Sequence, residues 1–174
     1  DGGTTSRTPY FSLDASATGS FTLEAIVKFR AGSTKTYNGL MGQIGASQIW
    51  WRESGGNLAF VAGAGDAVIA NADISAEKTS ADWHAFSLVY DGAAGEVRTY
   101  VNGALRATST DPQIGTLSET MLDGASDFYL GHYGGGADSD FDGSLDYFRI
   151  SDTALTPDQM LSAIPEPSAL TLAG

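Results

Sequence analysis

The stretch WHAFSLVYDGAAGEVRTYVNG, residues 83–103, decides the fold. Phe86, Leu88 and Tyr90 recur at every second position, as do Val97, Thr99 and Val101, with turn-forming residues 91–95 between the two runs. Period two on either side of a glycine-containing turn predicts a β-hairpin. Asn102-Gly103 then tolerates positive φ at both central positions of a type I′ turn, so the chain should reverse again into residues 104–110. Consecutive antiparallel strands therefore occupy the middle of the chain.

Working outward, residues 20–30 (SFTLEAIVKFR) place Phe21, Leu23, Ala25, Val27 and Phe29 on one face and Thr22, Glu24, Ile26, Lys28 and Arg30 on the other. The first face is core. Short strands are expected over 10–13, 39–44, 46–52, 57–61 and 67–74, separated by glycine-rich turns; the spacing of about ten residues is that of a sandwich or barrel. Residues 75–82 read as a polar connection, 111–126 as a long loop, 127–133 as a strand, 134–140 as a glycine- and aspartate-rich loop and 141–151 as a last strand. Thr156-Pro157-Asp158-Gln159 has the form of a capping box with Pro at the first helical position, predicting a helix to about residue 163 that stops before Pro165.

A chain of 174 residues fits one domain, and no cysteine is available for disulfides or thiolate metal sites. With 9 Lys and Arg against 21 Asp and Glu, the net charge of −12 repels phosphate backbones and anionic membranes, which argues against a nucleic-acid partner. The abundance of Gly, with few Lys and Glu, disfavours long helices, so the class is all-β. No run reaches the roughly 20 apolar residues that span a bilayer. The first residue is Asp rather than Met, which reads as either a processed form or an excised piece.

Residues 21–29, 83–103 and 128–160 (FYLGHYGGGADSDFDGSLDYFRISDTALTPDQM) resemble, in order, the signatures of laminin G-like domains of the concanavalin A-like lectin and glucanase superfamily. The Trp-His start, the YDG and YVNG turns, the G-x-L-D-x-x-R-I strand and the A-L-T-P-D-Q helix carry the resemblance together. It implies a jelly-roll sandwich of two antiparallel sheets, one of them concave, over residues 1–163, with one short C-terminal helix. Ile26 stands where many members carry Trp. The tail at 164–174, IPEPSALTLAG, resembles the opening of a PEP-CTERM sorting signal of exported proteins from Gram-negative bacteria, without the full apolar span or the basic cluster.

The superfamily includes glycosidases, whose laminarinase-like members carry Glu-x-Asp-x-x-Glu. None of Glu24, Glu53, Glu77, Glu96, Glu119 and Glu166 has an Asp two residues on, so the expectation is a domain without catalytic activity. No G-x-S-x-G elbow is present, and Gly134-Gly135-Gly136 lacks the Lys-Ser or Lys-Thr of a phosphate loop. His84 reads as structural.

Metal chemistry has more support. Asp138-x-Asp140-x-Asp142-Gly143 matches the first half of an EF-hand loop, although Arg149 stands where the bidentate Glu belongs, which leaves a calcium loop of another kind. The resemblance offers a competing ligand, Asp146, since the matching Asp of laminarinase-like relatives binds a structural calcium. For ligand binding the aromatic candidates are Trp50, Trp51, Tyr37, Tyr133 and His132, because sugar rings stack on aromatic faces; Trp50 and Trp51, adjacent on a strand, must point to opposite sides.

These readings lead us to expect a recognition or adhesion module at the extracellular surface of a Gram-negative bacterium, binding glycan or a surface protein. Two alternatives remain. One is a structural subunit of an extracellular layer that self-associates through its N-terminal arm or C-terminal tail; the other is an enzyme with a dispersed site.

Overall fold

The computed structural model describes residues 13–43, 49–62, 67–80, 82–116, 128–133 and 139–161. The elements are β1 (Ser20–Phe29), β2 (Tyr37–Gln43), β3 (Ile49–Ser54), β4 (Asn57–Ala62), β5 (Ala67–Asp73), α1 (Ser75–Thr79), β6 (His84–Asp91), β7 (Glu96–Val101), β8 (Ala104–Ser109), β9 (Phe128–Leu130), β10 (Gly143–Ser151) and a 3-10 turn (Pro157–Gln159). The strands form two antiparallel five-stranded sheets: a first sheet in the order β10-β1-β6-β7-β8 and a second in the order β5-β4-β3-β2-β9. Of the sandwich or barrel that the strand spacing allows, this is the two-sheet sandwich that the resemblance implies.

The central hairpins form as their turns predict. Asn102 (φ 50) and Gly103 (φ 79) supply the left-handed pair between β7 and β8, and Gly55 (φ 60) and Gly56 (φ 85) do the same between β3 and β4. Between the sheets lie Phe21, Leu23, Ala25, Val27 and Phe29 of β1, Phe86, Leu88 and Tyr90 of β6, and Val97 and Val101 of β7. Against them pack Leu40, Met41, Ile49, Trp51, Leu58, Phe60 and Ile69 of the second sheet. Each such side chain contributes about 1.5–3 kcal/mol on burial. The Tyr90 ring stacks on Phe21 at 4.8 Å. Its hydroxyl donates to the Ala15 carbonyl (2.6 Å) and accepts from the Gly115 N–H (2.7 Å), tying two loops to the core.

One open side of the sandwich is closed by edge strands from different sheets. Ser109 of β8 donates to the Ile69 carbonyl of β5 (2.5 Å), and Arg106 donates to the Asp73 carbonyl (2.8 Å) and to Glu77 (2.6 Å). On the opposite side residues 131–133 and 139–142 link the two sheets: Gly131 N–H bonds to the Leu40 carbonyl, Phe141 N–H to the Gly131 carbonyl and Arg30 N–H to the Asp142 carbonyl.

Several local expectations are corrected. The connection 75–82 contains α1, too short to be stable by itself. Tertiary anchors hold it: Glu77 pairs with Arg106, and Lys78 reaches the buried Glu53 at 2.7 Å. The expected C-terminal helix is only a 3-10 turn, although its capping box forms. The reason is competition: Leu161 N–H is taken by Glu24 (2.8 Å) and the Gln159 carbonyl by Arg149 (2.7 Å), so neither serves a helix ladder. β3 begins at Ile49 and β10 at Gly143, later than the sequence reading put them. Leu13 lies outside any strand, and residues 10–12, the rest of the expected first strand, are outside the described residues.

Candidate functional site

The sequence candidates part company at β3. Trp51 is fully buried between the sheets (0% exposed), so it offers no surface to a ligand. Trp50 points the other way and joins Ala59, Val61 and Tyr133 in a separate apolar cluster on the outer face of the second sheet, with Tyr37 packed against it. Alternation puts Arg52 beside it on the same face.

Register explains why so many large groups fit there. Trp50 stands opposite Gly42 of β2 and Val61 of β4; Arg52 stands opposite Gly39 and Ala59. Small neighbours leave room for the indole and guanidinium, and the two glycines also admit a crossing backbone. A Cβ on Gly42 would lie 2.4 Å from the Tyr133 Cα, and one on Gly39 would lie 2.4 Å from the Tyr133 nitrogen. The segment carrying His132 and Tyr133 is thus laid directly over β2, which sets the Tyr133 ring edge-on to Trp50 at 5.2 Å and to Tyr37 at 5.6 Å.

The Arg52 guanidinium sits over three rings, 4.4 Å from the Tyr37 centroid, 4.8 Å from Tyr133 and 5.2 Å from Trp50. Trp50 and Tyr133 are buried and form the floor; Tyr37 and Arg52 are partly exposed. Sequence reasoning missed Arg52. Its signal was the W-W-R order, which at period two places a cation on the face of Trp50.

His132 lies at the margin, its ring 5.2 Å from Tyr129. Its Nδ1 is 3.0 Å from Asp140 Oδ1 and 3.1 Å from Ser139 Oγ. Both partners address the same nitrogen, so these residues lack the acid-on-one-nitrogen, hydroxyl-on-the-other arrangement of a Ser-His-Asp relay.

The acids proposed for calcium do not converge. Asp140 faces His132, and Asp142 pairs with Arg30 at 3.5 Å. Asp142 lines a groove of about 330 Å³ together with Lys28 and Arg30, cations that oppose a divalent ion. Asp146 is the unpaired residue of a β-bulge in the edge strand β10, where Ile26 opposes Tyr147 and Val27 opposes Leu145. Among the described residues no three His, Cys, Asp or Glu side chains gather as a metal site. Asp138 lies outside the described residues, as do the arm at 1–8 and the tail at 164–174.

The buried glutamates serve the scaffold. Glu24 (0% exposed) accepts from Arg149 Nε (2.5 Å), Leu161 N–H and Ser87 Oγ (3.3 Å). Glu53 accepts from Asn38, Gly56 N–H and Lys78. Glu77 is pushed up by burial, but hydrogen bonds from Arg106 and its own backbone, with the Arg106 charge, leave it below the ordinary glutamate range. His84 Nδ1 lies 3.2 Å from the Asn102 amide, in the turn it flanks.

A family model described as the concanavalin A-like lectin/glucanases superfamily matches residues 1–160. The chain belongs to the concanavalin A-like superfamily. No curated protein matches the sequence. Among solved structures with this concanavalin A-like fold, the carbohydrate-binding module CBM40 of the Ruminococcus gnavus IT-sialidase, bound to α2,3-sialyllactose, is 14% identical. It has a TM-score of 0.62, with 87% of this chain and 83% of that chain covered. The heptameric SAP-like pentraxin of Limulus polyphemus is 18% identical, with a TM-score of 0.56 over 91% of this chain and 76% of that one. The binding domain of botulinum neurotoxin DC, solved in complex with rat synaptotagmin II, is 11% identical. Its TM-score is 0.58, and the match spans 81% of this chain but only 34% of the neurotoxin chain. At these identities the likeness is one of fold. No helix among the described residues is long and apolar enough to cross a membrane.

Proposed function

We propose that this domain is a non-catalytic carbohydrate-recognition module that seats a sugar on the outer face of the second sheet. The observation that carries the reading is the second aromatic cluster. Trp50, Tyr133 and Tyr37, with Arg52 among them, are gathered outside the sandwich core, where two glycines of β2 are needed to admit them. A partly exposed ring, Tyr37, over a buried aromatic floor and beside a hydrogen-bonding cation suits a pyranose, which presents an apolar face and polar edges. That modules sharing the fold bind glycans, as the sialidase module does, supports the reading.

The test is a glycan array with the purified domain and its Tyr37→Ala variant. Tyr37 is partly exposed, so its truncation should leave the fold intact while weakening binding about tenfold, the scale of one stacked ring. Absence of binding to any glycan would overturn the proposal.

Display at the surface of a Gram-negative bacterium, and a role in adhesion, belong to the same proposal and rest on the Pro165-Glu166-Pro167 tail sequence. Cell fractionation tests them: the protein should be found outside the inner membrane. A structural calcium rests on the acid-rich sequence 138–142 alone. It requires a melting temperature that falls on chelation, and an unchanged one rejects it.

A further inference from the structure

The arginines of this protein are used in two ways. Among the described residues Arg30 pairs with Asp142, Arg98 with Asp91 and Glu96, Arg106 with Glu77, and Arg149 with Glu24. Arg52 is the exception. Among the described residues no carboxylate meets it, in a chain whose acids outnumber its Lys and Arg 21 to 9. Its Nε is buried with no hydrogen-bond partner, and the indole N–H of Trp50, a residue only 9% exposed, is in the same condition.

Such an arrangement is costly in isolation. An unsatisfied buried donor loses about 1–3 kcal/mol, and stacking on rings returns only part of what a desolvated cation gives up. A fixed guanidinium with rings on its flanks also has its rotamer chosen in advance, so an incoming anion need not order it.

We propose that Arg52 is the anion-accepting group of the sugar site and that the module selects sugars bearing a carboxylate, of the uronic or sialic acid class. This rests on the carbohydrate reading above. The planar fork of arginine matches a carboxylate through parallel N–H···O bonds, while Tyr37 offers a face to the ring that carries it. Carboxylate is favoured over densely sulfated or phosphorylated chains by the field of the whole protein. A net charge of −12 tolerates one buried, neutralised anion and repels a polyanion.

The experiment measures binding of the whole chain to sialyllactose and to a disaccharide with a single terminal uronic acid, each presented as the free acid and as its neutral methyl ester. The free acid should bind about tenfold or more tightly than its ester, as expected of charge-assisted hydrogen bonds. Raising salt should weaken the acid form alone. Arg52→Met should bring the acid form down to the level of the ester. Were that variant to unfold, the comparison of acid and ester on the unaltered protein would still decide.

Equal binding of acid and ester, or binding confined to neutral or sulfated glycans, would overturn the assignment to Arg52 while leaving the carbohydrate reading in place. Absence of binding to every acid, ester and neutral glycan would overturn both.

Discussion

The outer faces of the two sheets are both partly covered, and they differ in what is left unsatisfied beneath the cover. On the first sheet residues 152–161 lie across β1. Thr22 donates to the Thr153 carbonyl and accepts from Leu155 N–H; Glu24 takes Leu161 N–H and the Arg149 guanidinium; Met160 packs on Val89 and Tyr100. The polar groups named there are matched. On the second sheet the 131–133 segment covers β2, but among the described residues Arg52 meets no acid, and its Nε and the Trp50 indole N–H meet no acceptor. On the first face Arg98 Nε is also buried without an acceptor, but that arginine pairs with Asp91; on the second a guanidinium and an indole stand together, and a ligand has something to offer both.

The contrast can be broken most severely at Glu24. Glu24→Ala strands Arg149 and the Leu161 N–H, and should cost about 3–5 kcal/mol, read as a lower urea midpoint and faster proteolysis after residue 151. Sugar affinity of the fraction still folded should not change, since the other face is untouched.

Gly42→Ala probes the second face. Its Cβ would sit 2.4 Å from the Tyr133 backbone, so the covering segment must move. Stability should fall by about 1–3 kcal/mol, and here, unlike Glu24→Ala, glycan affinity should be lost with it. A variant that binds normally would show that Tyr133 is not part of the sugar site.

Acid should act through the seam between the sheets. Because the Glu77 carboxyl lies below its ordinary 4.5 when folded, the unfolded chain binds its proton more readily. Its contribution is complete above that value and lost as pH falls through the folded value. Asp73 is lowered too, mainly by the Ser75 N–H and hydroxyl. The urea midpoint should therefore drop between about pH 6 and about pH 3, less steeply in Arg106→Ala. Equal slopes would remove Arg106 from the account.

The smallest effect belongs to Trp83. It begins the most diagnostic stretch of the sequence yet is 48% exposed. Trp83→Ala should change stability by no more than about 0.5 kcal/mol and leave glycan binding unaltered. Loss of binding would move the sugar site to the first sheet.

Strand identity and the core were legible in the sequence because both depend on period two: Phe21 to Phe29 alternate into the core as read, and Asn102-Gly103 makes the turn its chemistry allows. Alternation also announced that Trp50 and Trp51 would separate, though not which would face inward. That choice was made by the β2–β3–β4 register, which sets Trp51 against Met41 and Phe60 and Trp50 against Gly42 and Val61.

What the sequence by itself determined is the strands, their core face and their turns, which follow from local periodicity and backbone chirality; the two-sheet sandwich and the superfamily are implied by the resemblance of residues 21–29, 83–103 and 128–160 to laminin G-like signatures. Only the tertiary structure decided which side chains remain unmatched. Thr22 and Glu24, on the face of β1 opposite the sandwich core, are buried because a segment about 130 residues later folds onto them. Arg52, unremarkable in sequence, is singled out because every other described arginine found its acid across a strand or a loop. Pairing of charges is a long-range property, and no local pattern records it.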